Sequence, residues 1–370
     1  MARSRDFGDL LKSGLTRRQV NSGMMTLGLG AMTAPIVARK AAAAEKPVVF
    51  TWAGWDEPAL YEPYAAKHGE GPEFTFFGDL TEAFIKMRGG FTPDLVEIGA
   101  AEVKKFYDAG LLDPIDPARL PDWDNFYEPL KFLDTNWQDG NLYCMPTMFG
   151  GTSVLYREDL VEVEEESWAM LWDERYAGKI SPSDWSIEAI VPVGIGLGVP
   201  NPFAMTDAEL VEVKEILEKQ KELARFYWGN PTEMENALAT GEIHVAYAWS
   251  ESGARTSGAE VPIRYASPKE GRIVTVDGLA IVKGHEASLD MIYDYIAART
   301  AASTGLYTLT EFGMINPNSK VLEMAPEGAI KSLGADDVQK TLHSGWFWSS
   351  IEPGTEEKYE NLFVEVKAES

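Results

Sequence analysis

Trp52 and Trp55 stand three residues apart in the stretch TWAGWDEP, with Asp56 and Glu57 directly behind them. Further along, Glu188 ends SDWSIE, Trp249 and Glu251 fall in EIHVAYAWSE, and Asp277 interrupts the apolar run IVTVDGLAIV. Large rings held at a surface usually contact something. An indole face attracts a cation by about 0.5–2 kcal/mol, and a carboxylate accepts charge-assisted hydrogen bonds from N–H donors. The combination suits an alkylammonium, which carries N–H donors and positive charge on an apolar stem. Asp277 is the most telling member, because a carboxylate between Val276 and Gly278 in a strand is costly to bury without a partner. Plainer roles exist for the others. Asp56, Glu57 and Glu188 fit the first turn of a helix, Glu251 fits the cap of a following helix, and Trp52, Trp55 and Trp249 fit core rings. Trp123, Trp137, Trp168 and Trp172 read as packing, and the run EVEEES as a solvated charged face.

The elements that would position these groups alternate in type. VVFTW is strand-like and EPALYEPYAAKHG helical; EFTFFG and TEAFIKMRGG, then DLVEIG and AEVKKFYDAGLL, repeat the switch. Short β-rich runs followed by 3.6-period segments predict an α/β layer with a mostly parallel sheet. GNLYCMPTMFGGTSVLYRED reads as a strand broken by Pro146 and Gly150–Gly151, where the chain crosses between domains. ISPSDWSIEAIVPVGIGLG and DAELVEVKEILEKQKELARF predict a turn, a helix and a long charged helix. PTEMENALATGEIHVAYAW reads as helix, glycine stop and strand; GRIVTVDGLAIVKG as a strand crossing back; EASLDMIYDYIAARTAASTG as one helix. Two α/β domains joined by several crossings make a hinge with a cleft, and ligands of open α/β sheets sit beyond the carboxyl ends of the strands. Trp52, Trp55, Glu188, Trp249 and Glu251 fall at such ends, and Asp277 lies in the returning strand.

The N-terminus reads as an export signal. LTRRQV places Arg17 and Arg18 ahead of the apolar MMTLGLGAMTAPIVA, and ARKAAAAEKP supplies small residues for cleavage after Ala44. Paired arginines mark the twin-arginine route, and the apolar stretch is too short to span a bilayer. The chain is therefore expected in the periplasm. Met1–Ala44 carries a net charge of +5, so its removal takes the protein from −25 to −30 and leaves 326 residues, enough for two domains. So acidic a protein is a poor partner for nucleic acid or anionic lipid and a reasonable collector of cations. Cys144 is the only cysteine, which excludes an internal disulfide and a cysteine metal cluster.

Enzyme signatures are missing. His68, His244, His285 and His343 show no metal spacing, and there is no G-x-S-x-G elbow or P-loop. No catalytic residue, metal or cofactor is expected. Acids with tryptophans also suit sugars, which keeps a sugar-binding or sugar-cleaving protein as the outside reading. An anionic ligand would want basic groups at the strand ends, and Arg157, Arg255, Arg264 and Lys283 do not cluster with the tryptophans.

With these stretches in view, the mature chain resembles the periplasmic polyamine-binding proteins, receptors of spermidine/putrescine ABC importers. The resemblance is carried by Trp52 with an aromatic three residues on, by DLVEIGAAEVKKFYDAGLLDPID, by NLYCMPTMFGGTSVLYRED, by SWAMLWDERYAGKIS and by ATGEIHVAYAW. It implies a type II-like periplasmic-binding-protein fold, with a signal over 1–44, one lobe formed by 45–152 plus 277–320 and the other by 153–276 plus 321–370. It implies that Trp52 and Trp55 line the cleft with Trp249, that Glu188 with Asp184 one position out of register supplies acid, and that Asp277 holds an ammonium. Glu251 stands beside Trp249, and a polar family position falls at Trp348 or Ser349. The implied partners are a small cationic ligand and an inner-membrane permease, with the receptor itself a monomer. Two positions depart from the pattern. Thr275 replaces an aromatic two residues before Asp277, and Gly99, Ala100 and Ala101 replace a family S-x-Y. The loss of two rings opens the site to a smaller quaternary or primary amine, an aminophosphonate or thiamine.

Overall fold

The structure, a computed structural model, describes residues 46–256, 260–333 and 338–368, all within the unit Ala44–Ser370. The export signal read over 1–44 lies outside the described residues. The first strands form where β-branched and aromatic residues run together: β1 is Val48–Trp52 and β2 Glu73–Phe77, with β3 at Leu95–Gly99. Helices return the chain between them. α1 (Glu62–His68) stops at Gly69, whose φ of 83° only glycine adopts freely. α2 (Leu80–Arg88) starts where the Asp79 carboxylate accepts the Glu82 N–H, and α3 (Val103–Asp108) follows β3. Further strands are β4 (Met145–Arg157), β5 (Ile180–Ser181), β6 (Val245–Trp249), β7 (Ile263–Tyr265), β8 (Ile273–Val282) and β9 (Trp346–Phe347). Later helices are α4 (Ser186–Gly196), α5 (Asp207–Leu223), α6 (Pro231–Thr240), α7 (Ser250–Thr256), α8 (Leu289–Thr300), α9 (Ala302–Tyr307) and α10 (Pro353–Ala368).

Among the described residues one sheet runs β2-β1-β3-β8-β4-β6-β5, with β7 added to β4 and β9 to β8. β1 is parallel to both β2 and β3, and β5 to β6. β8 and β4 form the middle, antiparallel to each other, β8 antiparallel to β3 and β4 antiparallel to β6 and β7, while β8 is parallel to β9. At one end Phe50, Val96 and Phe106 pack one face of β1–β3 while Leu95, Ile292 and Tyr295 pack the other. At the other end Trp168, Ile190, Leu217, Trp228 and Tyr247 form a separate large core. A further cluster, including Phe149, Val276 and Ile315, sits where β4 and β8 cross.

Five expectations change. The sheet is mixed rather than mostly parallel, because β4 and β8 run antiparallel to β6 and β3 between the parallel ends. β4 is one continuous 13-residue strand, not a strand broken at Pro146 and Gly150–Gly151. Pro146 faces Gly278 at a register shift in β8, where its missing N–H is tolerated. The two glycines permit close approach: a Cβ on Gly151 would lie 2.2 Å from the Ile273 carbonyl, and one on Gly150 would lie 2.5 Å from Met314 Sδ. The segment EASLDMIYDYIAARTAASTG makes two helices, divided at Ala301, whose ψ of 146° is extended. EPALYEPYAAKHG opens as a 3-10 turn at Pro58–Leu60 before α1, the break falling at Tyr61, ahead of Pro63. Within EVEEES, Glu166 is partly buried and accepts hydrogen bonds from Arg264, Tyr156 and the Ser267 N–H, so that acid is a tether rather than a solvated charge.

Candidate functional site

β1 delivers the first two rings. Trp52, its last residue, meets Phe77 edge-on at 4.6 Å, leaving the indole partly buried. The turn that follows bonds Trp55 N–H back to the Trp52 carbonyl at 3.2 Å and uses Gly54 at φ 93°. Trp55 then stacks on Phe312, centroids 4.7 Å apart and planes 20° from parallel. Phe312 ends a π-helical turn, Thr308–Phe312, stopped by Gly313 at φ 65°. Such turns often occur at functional places. Here it seats Gly313 so closely on α7 that a Cβ would lie 3.0 Å from Glu251 Cα. Trp55 is thereby linked to Glu251 through two residues. Asp56 and Glu57 are exposed and stand ahead of the Pro58–Leu60 turn.

β6 and the start of α4 deliver the second group. Trp249 ends β6, and its indole N–H donates to Glu188 Oε1 at 3.0 Å. Ser183, wholly buried, donates its hydroxyl to Glu188 Oε2 at 2.7 Å. Ser183 is fixed by backbone pairing of its neighbours: Trp228 N–H donates to Pro182 O and Asp184 N–H to Trp228 O, each at 3.0 Å. Both carboxylate oxygens of Glu188 are thus held by neutral donors. Its pKa is raised, first by burial and further by the charge of Glu251, although both hydrogen bonds pull it down. Glu251, in the first turn of α7, is raised mainly by burial as well.

Asp277 comes from β8, where it faces Gly99 of β3 on one side and Met148 of β4 on the other. A Cβ on Gly99 would sit 3.5 Å from Asp277 Oδ1, so the carboxylate occupies space left by that glycine. Burial first, then Glu97 and Glu251, push Asp277 up to about 7. Glu251 therefore acts electrostatically on both other acids. Glu188, Glu251 and Asp277 form one field of carboxylates that the fold brings together from three distant stretches. The described ion pairs give none of the three a cation: Arg157 pairs with Asp159, Arg255 with Glu235 and Arg264 with Glu166. The described residues contain no cluster of three His, Cys, Asp or Glu suited to a metal ion.

Other expected positions fall differently. Thr275 lies opposite Gly150 and on the same face of β8 as Asp277, with no ring in its place. Ser349 follows β9 and donates to the Phe347 carbonyl at 3.3 Å, while Trp348 N–H bonds to Val274 O. Asp184 turns away from the three acids: it is exposed and paired with Lys367 of α10. Sequence reasoning missed Phe312, Trp185 and the buried pair of Glu97 with Arg299. Glu97 accepts from Arg299 at 2.7 Å and from the Thr51 hydroxyl at 2.5 Å, with Tyr295 beside the guanidinium. A single acid inside LVEIG and a single arginine inside YIAART were the available signal.

The chain is similar to known proteins over most of its length. The family described as bacterial extracellular solute-binding protein matches residues 59–333. The spermidine/putrescine-binding periplasmic protein 1 of Haemophilus influenzae is 23% identical over 349 residues, 89% of this chain and 90% of that one. The spermidine/putrescine-binding periplasmic protein of Escherichia coli is 25% identical over 332 residues, 86% and 90% of the two chains. Among solved structures, a spermidine/putrescine ABC transporter substrate-binding protein from Streptococcus pneumoniae superposes with a TM-score of 0.75 at 22% identity, covering 87% of this chain and 98% of that one.

Proposed function

This chain belongs to the bacterial extracellular solute-binding proteins, and from that premise we propose that it captures a polyamine of putrescine or spermidine type. It has the two-lobed α/β fold of those receptors and serves an ABC importer as a binding protein, not as an enzyme. The observation that carries the amine reading is the field of Glu188, Glu251 and Asp277, drawn together with partly buried indoles and joined by no ion pair among the described residues, Arg255 acting on Glu251 only at a distance while paired with Glu235. Burying uncompensated carboxylates is costly, and a ligand's ammonium groups offset that cost. In this reading the lobes are 45–152 plus 277–320 and 153–276 plus 321–370, the ligand lies in the cleft between them, and its bridging of both favours the closed form that a permease accepts. Export by the twin-arginine pathway and action as a periplasmic monomer belong to the same reading. No helix among the described residues is long and apolar enough to cross a membrane.

Thr275 and Ala101 favour a second reading, a smaller amine or zwitterion on the same scaffold, because a long methylene chain has two fewer rings to lie against. Thermal-shift screening of the mature chain from Glu45, refolded and dialysed, separates the two. A large Tm rise with putrescine, cadaverine, spermidine or spermine is the expected result, since a ligand that binds only the native state stabilises it. A rise only with choline, betaine, 2-aminoethylphosphonate or thiamine moves the substrate. Silence toward every amine, with a response to a sugar, sinks the cation reading.

A further inference from the structure

We propose that Trp185 is a wall of the ligand site at its Glu188 end, supplying from the segment before α4 an aromatic face that β8 and the end of β3 lack. The inference rests on the amine reading and adds a residue to it. Trp185 is 43% exposed, the most exposed tryptophan among the described residues. The exposed part of the indole is apolar area that a ligand's methylenes can cover. One side of the ring is already used: it stacks on Trp249 with centroids 5.6 Å apart and planes 30° from parallel, and it meets Trp228 edge-on at 5.5 Å.

Its position relative to Glu188 is fixed by two independent ties. Trp185 is the N-cap residue of α4, in extended backbone, and Glu188 lies three residues on in the first turn. They also share a hydroxyl, since the backbone N–H of Trp185 donates to Ser183 Oγ at 3.3 Å and the same hydroxyl donates to Glu188 at 2.7 Å. Trp249 then joins the two, stacked on Trp185 and bonded through its N–H to Glu188. An acid held by neutral donors therefore stands beside two stacked indoles, one of them open to solvent. The chemistry that fits is a primary ammonium with its adjoining methylenes: charge to Glu188, methylenes and cation–π contact to Trp185.

Calorimetric titration of putrescine and spermidine into wild type, Trp185→Ala, Trp185→Leu and Trp185→Phe tests this. Alanine and leucine should each weaken binding of at least one amine about tenfold, while phenylalanine recovers most of the loss. Ile85→Ala, exposed on α2 and remote from the site residues in sequence, should bind as wild type. Unliganded melting temperatures should fall only slightly across the Trp185 variants, because 43% of the residue's surface already lies in water. Wild-type affinity in the leucine variant, or equal losses with leucine and phenylalanine, overturns the aromatic wall while leaving the receptor reading intact. A wild-type protein that binds neither amine defeats the polyamine reading itself, and this inference with it.

Discussion

The Asp277 carboxyl, lifted to about 7 by burial and then by Glu97 and Glu251, sets how the site should answer to pH. In the unliganded protein a raised acid favours the fold below its ordinary value of 3.8, and that contribution is lost as pH rises through about 7. Binding runs the other way. An ammonium favours the carboxylate, so capture below pH 7 must expel a proton, and apparent affinity should fall about tenfold for each pH unit below that point. Glu188 and Glu251, raised in the same direction by burial, steepen the fall at the acid end. Titration calorimetry near pH 6 in buffers of different ionisation enthalpy reads the released proton directly. Asp277→Asn should flatten the dependence and weaken binding more than about tenfold at pH 8; an affinity that ignores pH between about 5 and 8 would take Asp277 out of the site. Asp277 was legible in the sequence because an aspartate in an apolar strand is conspicuous. Trp185 and Phe312 were not, because a ring's exposure and its stacking partner depend on contacts across the chain. Asp184, one position out of register with the family acid, is turned by the fold toward Lys367.

At the scale of elements, strand and helix periods gave the order of the first lobe closely, VVFTW being the observed Val48–Trp52. They failed where glycine and proline serve contact rather than termination. β4 reads as broken because Pro146, Gly150 and Gly151 are breakers in local terms, yet its neighbours decide the outcome. Gly151 faces Val274 so closely that any side chain meets the Ile273 carbonyl, a backbone atom with little room to yield. Gly151→Ala should therefore destabilise the protein by about 1–3 kcal/mol, the usual cost of overpacking a tight place. Urea denaturation of the unliganded chain measures it, with a lower midpoint and unchanged slope expected. A neutral Gly151→Ala would mean that β8 can move away from β4 freely. The same logic accounts for Gly313, whose φ of 65° and closeness to Glu251 tie the Phe312 ring to α7. No local pattern announces a tie of that kind.

Across the whole molecule, β4 and β8 are antiparallel through the middle of the sheet, and the cores on either side of them are separate. In the proposed reading two lobes, joined by β4, β8 and a third crossing near residue 320, change their relative angle about those crossings. A ligand moves that equilibrium only by binding one arrangement better than the other. In that reading the carboxylates supply the difference: Glu188 stands beside the core built around Trp168 and Trp228, whereas Asp277 lies against β3. An amine that reaches both is held by two bodies only when they approach. Small-angle scattering with saturating putrescine or spermidine should accordingly show a smaller radius of gyration than the free protein. Glu188→Gln should uncouple the effects, keeping residual binding through Asp277 and Glu251 while losing most of the compaction. Full compaction in Glu188→Gln at saturation would show that closure draws on contacts other than this acid, and the bridging role would pass to Glu251, whose charge already reaches both partners.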